Sequence, residues 1–350
     1  MSVIEIGRYR VGQGQEPFII GEVGINHNGE VERALAMIDA GREAGCTSVK
    51  FQTFKAEELV LDPTVTYTYK SQGREITEAQ IDMFRRYELG EADFRRLKQR
   101  CEERGLVFLS TPQNRSDLDI LLRIGVEAVK VGSDDFSNIP LLKSYAETKL
   151  PLLLSCGMAD MADVHQALAA VGAFDGYPVV LLYCVSLYPT PPDEVNLNRL
   201  ATLRRAFPDI AVGFSDHTAG PLASSLAVTM GACLFEKHFT LDHDLPGPDH
   251  WFSEEPADLK AWADGIRTAH RMMGSGIVRP TARETEMRAI ARRSVVALKD
   301  VAAGEELTLA NTGLRRPGTG IAPVLLDKVL GKRASRALKR GQLLEFGDFT

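Results

Sequence analysis

The sequence predicts a (β/α)8 TIM barrel followed by a small β-rich domain, and three observations carry the prediction. Eight short, β-rich apolar runs recur along the first two-thirds of the 350 residues, each followed by a helical pattern. Polar side chains gather at the C-terminal ends of those runs, the rim on which barrels carry their chemistry. After about residue 270 the texture changes to short alternating segments broken by Gly and Pro.

Taken in order, the predicted strands are Phe18–Ile20, Ser48–Phe51, Val107–Ser110, Ala128–Val131, Leu152–Ser155, Val179–Tyr183, Val212–Ser215 and Leu234–His238. Between them, 31–44, 91–104, 117–125 and 221–231 place apolar residues at helical spacing, with Gly45, Gly105, Gly125 and Gly231 where helix C-caps fall. Alternating strand and helix implies parallel strands with crossover helices, and eight units fit a closed barrel better than an open sheet. The spacing is regular except at Lys55–Leu89, a long polar stretch rich in Tyr, Thr and Glu that reads as a loop over the barrel mouth. The predicted organisation is a barrel over 1–275, a linker with a short helix over 276–291, and a β-rich domain over 292–350. In that last domain 294–298, 306–309 and 343–346 read as extended. About 60 residues make a marginal core unless they pack on something.

Composition narrows the function. Hydrophobic residues are 44% and charged residues 25%, ordinary globular usage that excludes disorder. With 41 Lys and Arg against 47 Asp and Glu, the net charge of −6 argues against a nucleic-acid partner. Five scattered cysteines (Cys46, Cys101, Cys156, Cys184, Cys233) form no CxxC pair, which fits a reducing compartment. No apolar run approaches the ~18 residues of a membrane span, and the start lacks a signal-peptide pattern. The expected location is the cytoplasm, with no membrane partner.

The strand ends supply the chemistry. They present Glu22, Lys50, Gln52, Ser110, Thr111, Lys130, Ser133, Ser155, Tyr188, Ser215, His217, Glu236 and His238. Lys50 and Lys130 end runs that otherwise read as buried, and a buried ammonium needs an anionic partner. That partner is either a rim carboxylate such as Glu22 or Glu236, or a phosphate or carboxylate ligand also held by Thr111, Ser133, Ser155 and Ser215. His217 and His238 end consecutive strands, about 5 Å apart, so both imidazoles can reach one divalent ion and leave its shell open. Each can equally be a hydrogen-bonded core histidine. Glu22, Asp135, Glu236 and Asp249 are candidates for proton transfer. Asp242–Ser253 reads as a mobile rim loop, bent at Gly247 and Pro248, with Asp249 and His250 pointing back.

An ordered series of motifs resembles the sialic acid (nonulosonic acid) synthase family. It runs GEVGINHNG (21–29), VKFQTF (49–54), FLSTP (108–112), KVGS (130–133), LLYCVSLYPTP (181–191), GFSDHT (213–218), EKHFTLD (236–242) and PGPDH (246–250). The tail, with RRSVVALKDVAAGE (292–305) and LRRPGTGI (314–321), resembles that family's C-terminal antifreeze-like (SAF) domain. The resemblance implies an enzyme that condenses phosphoenolpyruvate with an open-chain N-acyl hexose. The acceptor would be N-acetylmannosamine or a 2,4-diacetamido-trideoxyhexose, and the product a nine-carbon 3-deoxy-2-keto acid plus phosphate. It further implies that His217 and His238 hold Mn2+ or Mg2+ at the sugar aldehyde, and that Lys50, Thr111, Lys130, Ser133, Ser155 and Ser215 cradle phosphoenolpyruvate. Gln52, Ser186 and Tyr188 would address the sugar, and Glu22, Asp135 and Asp249 the proton transfers. Arg316 would reach the active site of the opposite subunit in a domain-swapped homodimer. Asp135 stands where many members carry glutamate, and Ser186 where some carry asparagine. Two other readings stand beside this one: a related 3-deoxy-keto acid synthase or metal-dependent aldolase using another sugar, and a glycan-binding or ice-binding module suggested by the tail alone. The tail has many charges and no regular Thr array.

Overall fold

The computed structural model describes residues 3–350. It divides into two compact units, one running to Gly274 and the other Ser275–Thr350. The first begins with an antiparallel hairpin, β1 (Ile4–Ile6) and β2 (Tyr9–Val11). Barrel strands β3 (Phe18–Gly24) and β4 (Ser48–Thr53) follow, then a second hairpin, β5 (Thr66–Ser71) and β6 (Arg74–Ala79). The remaining barrel strands are β7 (Val107–Pro112), β8 (Val129–Val131), β9 (Leu152–Ser155), β10 (Val179–Cys184), β11 (Ala211–Ser215) and β12 (Leu234–His238). Eight parallel strands pair in the order β7-β4-β3-β12-β11-β10-β9-β8, and β7 and β8 lie side by side to bring the sheet nearly to closure.

Because strand side chains alternate, each barrel strand sends one set inward and the other toward the helices. The outward set, including Phe51, Phe108, Val129, Leu154, Phe214 and Phe235, joins the helices in the main core. Tryptophan 262 of the helix Pro256–Met273 is buried there. The inward set is apolar toward the strands' N-terminal ends, with Phe18, Ile20, Val107, Leu109, Leu153, Val180, Leu182 and Leu234 in one cluster. Ile4, Ile6 and Val11 of the first hairpin join that cluster and plug this end of the barrel. Only the C-terminal end is left for polar groups.

The stretch Lys55–Leu89 is ordered rather than a plain loop. It holds a short helix (Ala56–Leu59), the β5–β6 hairpin and the helix Gln80–Tyr87. The hairpin turns on Gln72 (φ 50°) and Gly73 (φ 73°), the two positive-φ positions of a tight two-residue connection. In the second unit, β13 (Ser294–Ala297) pairs antiparallel with β14 (Thr312–Arg315). The expected extended segments 306–309 and 343–346 are not strands: they contribute single bridges, Glu306 to Arg333 and Val296 to Leu343. Turns at Gly304, Gly331 and Gly341 interrupt the chain before consecutive pairs can form. This unit carries its own core of Val295, Leu307, Val329, Leu338 and Leu344. The 276–291 stretch, expected as a linker with a short helix, contains the helix Ala282–Ala291. No helix among the described residues is long and apolar enough to cross a membrane.

Candidate active site

Each inward-facing row changes from apolar to polar as it nears the C-terminal rim. Phe18 and Ile20 give way to Glu22, Leu109 to Thr111, Leu153 to Ser155, and Leu234 to Glu236 and His238. Lys50, Gln52, Lys130, Ser215 and His217 complete the ring around a cavity of about 1260 Å³. Register makes the ring compact: His238 lies opposite Glu22, Glu22 opposite Lys50, and Ser215 opposite Glu236. At Gly24 (φ 55°) the β3–β4 register shifts by a bulge, beside Glu22, Gln52 and His238.

Four buried charges form the floor. Lys50 Nζ sits 2.9 Å from Glu22 Oε1 and 3.7 Å from Glu236 Oε2, and donates to Thr111 Oγ1 at 3.0 Å. Lys130 Nζ lies 3.6 Å from Glu236 Oε1 and donates to Ser155 Oγ at 2.8 Å and to the Val131 carbonyl at 3.0 Å. Both lysines therefore have rim-carboxylate partners, the first of the two alternatives their sequence setting left open. The carboxylates differ sharply. Burial pushes Glu22 up to about 7, against the pull of Lys50. Burial would raise Glu236 too, but Lys130 and Lys50 together hold it down at about 2. Burial thus favours the neutral acid at Glu22 while Glu236 stays ionised between the two lysines. Glu22 Oε2 and Glu236 Oε2 have no hydrogen-bond donor, a costly state that a ligand or water relieves.

Above this floor stand the two histidines, with ring centroids 5.8 Å apart. His217 Nδ1 donates to the Val185 carbonyl at 2.7 Å, which leaves Nε2 as a lone pair facing the cavity, 3.5 Å from Ser215 Oγ. His238 Nδ1 is buried without a hydrogen-bond partner, 4.0 Å from Asp249 Oδ2. Burial lowers the pKa of both rings, and for His238 the neighbouring His217 adds to it. Two imidazoles whose neutral form burial favours, His238 Nδ1 without a partner and His217 Nε2 with only the long contact to Ser215 Oγ, are suited to a divalent ion. Among the described residues no set of three or more His, Cys, Asp or Glu is grouped to hold a metal, so such a shell would stay open to water and substrate oxygens. Tyr188 and Phe252 wall this corner, with Tyr188 4.2 Å from the His217 ring and Phe252 5.5 Å from that of His238.

On the far side, Ser133 Oγ accepts from Gly157 N at 3.0 Å and lies 3.1 Å from Cys184 Sγ. A Cβ on Gly157 would stand 2.4 Å from Ser186 Oγ and 2.6 Å from Ser133 Oγ, so only glycine lets these groups converge. The β5–β6 hairpin closes the cavity's outer side with Tyr67, Tyr69, Lys70 and Arg74, and Lys70 Nζ lies 4.8 Å from the centroid of the Trp251 ring. Asp249 lines the cavity too. Loss of water pushes its carboxyl up to about 7, although the side chain keeps 21% exposure.

Thirteen of the expected site residues thus surround one cavity: Glu22, Lys50, Gln52, Thr111, Lys130, Ser133, Ser155, Ser186, Tyr188, Ser215, His217, His238 and Asp249. Two do not join them. Asp135 turns aside to accept from Asn138 Nδ2 at 2.9 Å, and Asp134 is the acidic neighbour that lines the cavity. Arg316 belongs to the second unit and is exposed just past β14. His250 does not point back: it is buried between Thr240 Oγ1 (2.6 Å) and Asn28 Oδ1 (3.0 Å). Its loop, expected as mobile, is tied down by Asn28 to the Pro246 carbonyl, Gln72 to the Asp244 carbonyl and Gly247 N to Ser71. Residues missed in the sequence are the hairpin tyrosines, Arg74, Trp251 and Phe252. The alternating runs around Gln72-Gly73 were the available signal for the hairpin.

A parallel-stranded barrel with buried lysines, carboxylates and paired imidazoles at its C-terminal mouth defines the class: a barrel enzyme, here with a separate C-terminal domain. The chain belongs to the NeuB family, which matches residues 37–278, and its residues 292–350 match the SAF domain. It is 39% identical to the N,N'-diacetyllegionaminic acid synthase of Legionella pneumophila, covering 95% of this chain and 94% of that one. Identity to the pseudaminic acid synthase of Campylobacter jejuni is 30%, covering 99% and 100%. The crystal structure of N-acetylneuraminic acid (sialic acid) synthetase from Leptospira borgpetersenii, in complex with citrate, superposes with a TM-score of 0.74. It is 32% identical and covers 82% of this chain and 95% of that one.

Proposed function

We propose that this enzyme is a nonulosonic acid synthase. It condenses phosphoenolpyruvate with the open-chain form of an N-acyl hexose, giving a nine-carbon 3-deoxy-2-keto acid and phosphate. The observation that carries the reading is the convergence of two buried lysines, a neutralisable Glu22 and the His217 and His238 imidazoles, with His238 Nδ1 unpartnered, on one cavity. The names of its relatives support the same reaction class.

In this reading Lys50 and Lys130 face the phosphate and carboxylate of phosphoenolpyruvate, with Thr111, Ser133, Ser155 and Ser215 donating hydrogen bonds. Fixing an anion of about three charges against these groups orients C3 for attack on the aldehyde carbon. His217 and His238 would hold Mn2+ or Mg2+, which supplies a Lewis acid for the aldehyde oxygen. Glu22, whose neutral form burial favours, would give its proton to the new hydroxyl. Water then adds at C2, where Asp249 would take its proton, and the tetrahedral centre expels phosphate by C–O cleavage. Tyr188, Gln52 and Ser186 would bind the sugar.

The five cysteines are all free and buried. A reaction consuming phosphoenolpyruvate would run in the cytoplasm, where that metabolite is made. We extend the reading to a homodimer in which Arg316 of one subunit completes the site of the other. The test is phosphate release from phosphoenolpyruvate with Mn2+ and a panel of N-acetylmannosamine, 2,4-diacetamido-trideoxyhexoses, mannose and phosphosugars. Turnover with an N-acyl hexose and a product of matching mass is expected. Turnover with phosphosugars alone contradicts the proposal.

A further inference from the structure

The residues that follow Glu236 and precede His217 in the chain are themselves charged and buried, and they face away from the cavity. Lys237 points outward from β12 with 3% side-chain exposure, and Asp216, just past β11, is fully buried. Lys237 Nζ lies 3.1 Å from Asp216 Oδ2 and 3.6 Å from Glu254 Oε1, and donates to the Thr218 carbonyl at 2.5 Å. Asp216 Oδ1 accepts from both Thr218 N (2.9 Å) and Thr218 Oγ1 (2.7 Å), while Oδ2 accepts from Ser224 Oγ at 2.6 Å. Ser224 in turn accepts from Trp262 Nε1 at 2.8 Å.

These bonds bracket the two imidazoles. Asp216 and Thr218 are the chain neighbours of His217, and Lys237 is the neighbour of His238. Glu254 links to both sides: its backbone N–H donates to the His238 carbonyl at 3.0 Å, and its Oε1 accepts from Gly220 N at 2.7 Å. One ammonium therefore ties the strand end that carries His238 to the turn that carries His217. A buried ion pair gains little net stability over an apolar pair of the same shape, so stability alone is a weak reason for it. What an apolar pair cannot do is fix two backbone segments in one register.

We propose that Lys237, acting through Asp216, Thr218 and Glu254, is a positioning residue that sets the separation and aim of the His217 and His238 rings. The inference rests on the reading of those rings as a divalent-cation site. Lys237 itself touches neither substrate nor ion.

Three variants test it: Lys237→Met, the charge-balanced double variant Lys237→Met/Asp216→Asn, and Glu254→Gln. Each is checked for fold by circular dichroism, then titrated with Mn2+ against a chelating dye below its unfolding midpoint. Steady-state constants are measured alongside. The expected result is Mn2+ affinity weaker by about 10–100-fold in the two lysine variants, the usual scale for removing a group that orients a metal ligand. Glu254→Gln is expected to weaken it less, in the same direction. The kcat should fall while the KM for phosphoenolpyruvate holds. A folded double variant with wild-type Mn2+ affinity overturns the proposal, and it still decides the question should Lys237→Met alone fail to fold. No saturable Mn2+ binding by the wild type would instead overturn the cation-site reading, and this inference with it.

Discussion

At the residue scale, Glu22 and Glu236 are chemically identical and a few ångströms from the same lysine, yet their environments push them apart. Glu236 is flanked by both ammonium groups and Ser215 Oγ at 2.9 Å, whereas Glu22 has one close ammonium, Lys50, and a long hydrogen bond from Gln52 Nε2 at 3.4 Å. Such divergence is how a site keeps one carboxyl available as an acid while another stays ionised. It also makes a stability prediction. The folded pKa of Glu22, about 7, lies above its reference value of 4.5. The stability this group contributes is therefore complete below about pH 4.5 and lost as pH rises through 7. Glu22→Gln should match the wild type in urea midpoint near pH 4.5 and lose less stability than the wild type between there and pH 8. Parallel pH profiles would show that Glu22 titrates normally. The rim residues were legible from their strand-end positions. Asp135 was not, because whether Asp134 or Asp135 faces the cavity depends on how the chain turns after β8.

At the scale of elements, the barrel strands were legible because each is a short apolar run followed by a helix. Leu152–Ser155 and Leu234–His238 match their predicted limits, and the others extend by a few residues or, like β8, start one later. The β5–β6 hairpin was hidden by its polarity: most of its residues are exposed, so it lacks the apolar face that marks a strand. The first hairpin was missed for its length, since three residues show no periodicity. The Lys237–Asp216 pair was invisible for another reason: contacts between neighbouring strands join residues 21 apart in sequence. The β5–β6 hairpin borders the cavity away from the lysine floor, while Tyr69 packs with Ile25, Phe54 and Met83 in a cluster separate from the main core. Replacing Thr66–Ala79 by a short Gly-Ser connection should therefore raise the KM for the sugar at least several-fold. The KM for phosphoenolpyruvate and the barrel's unfolding temperature should change little. An equal rise in both KM values would show that the hairpin shapes the whole cavity.

At the scale of the whole molecule, the proposed homodimer, in which Arg316 of one subunit would complete the site of the other, makes its own prediction. Arg316→Ala should cut turnover at least tenfold. Mixing it with His238→Ala should restore part of the activity, because hybrid dimers contain one site with both residues intact. No restoration across mixing ratios, with subunit exchange confirmed, would place Arg316 and His238 of each working site on the same chain.

The central claim, that the lysine floor of the barrel receives phosphoenolpyruvate, is met most directly by calorimetry of phosphoenolpyruvate binding to the Mn2+-loaded protein. The account predicts saturable heat at one site per chain, with affinity at least tenfold weaker in Lys130→Met. An absence of heat in the wild type, or undiminished affinity in a folded Lys130→Met, would contradict it.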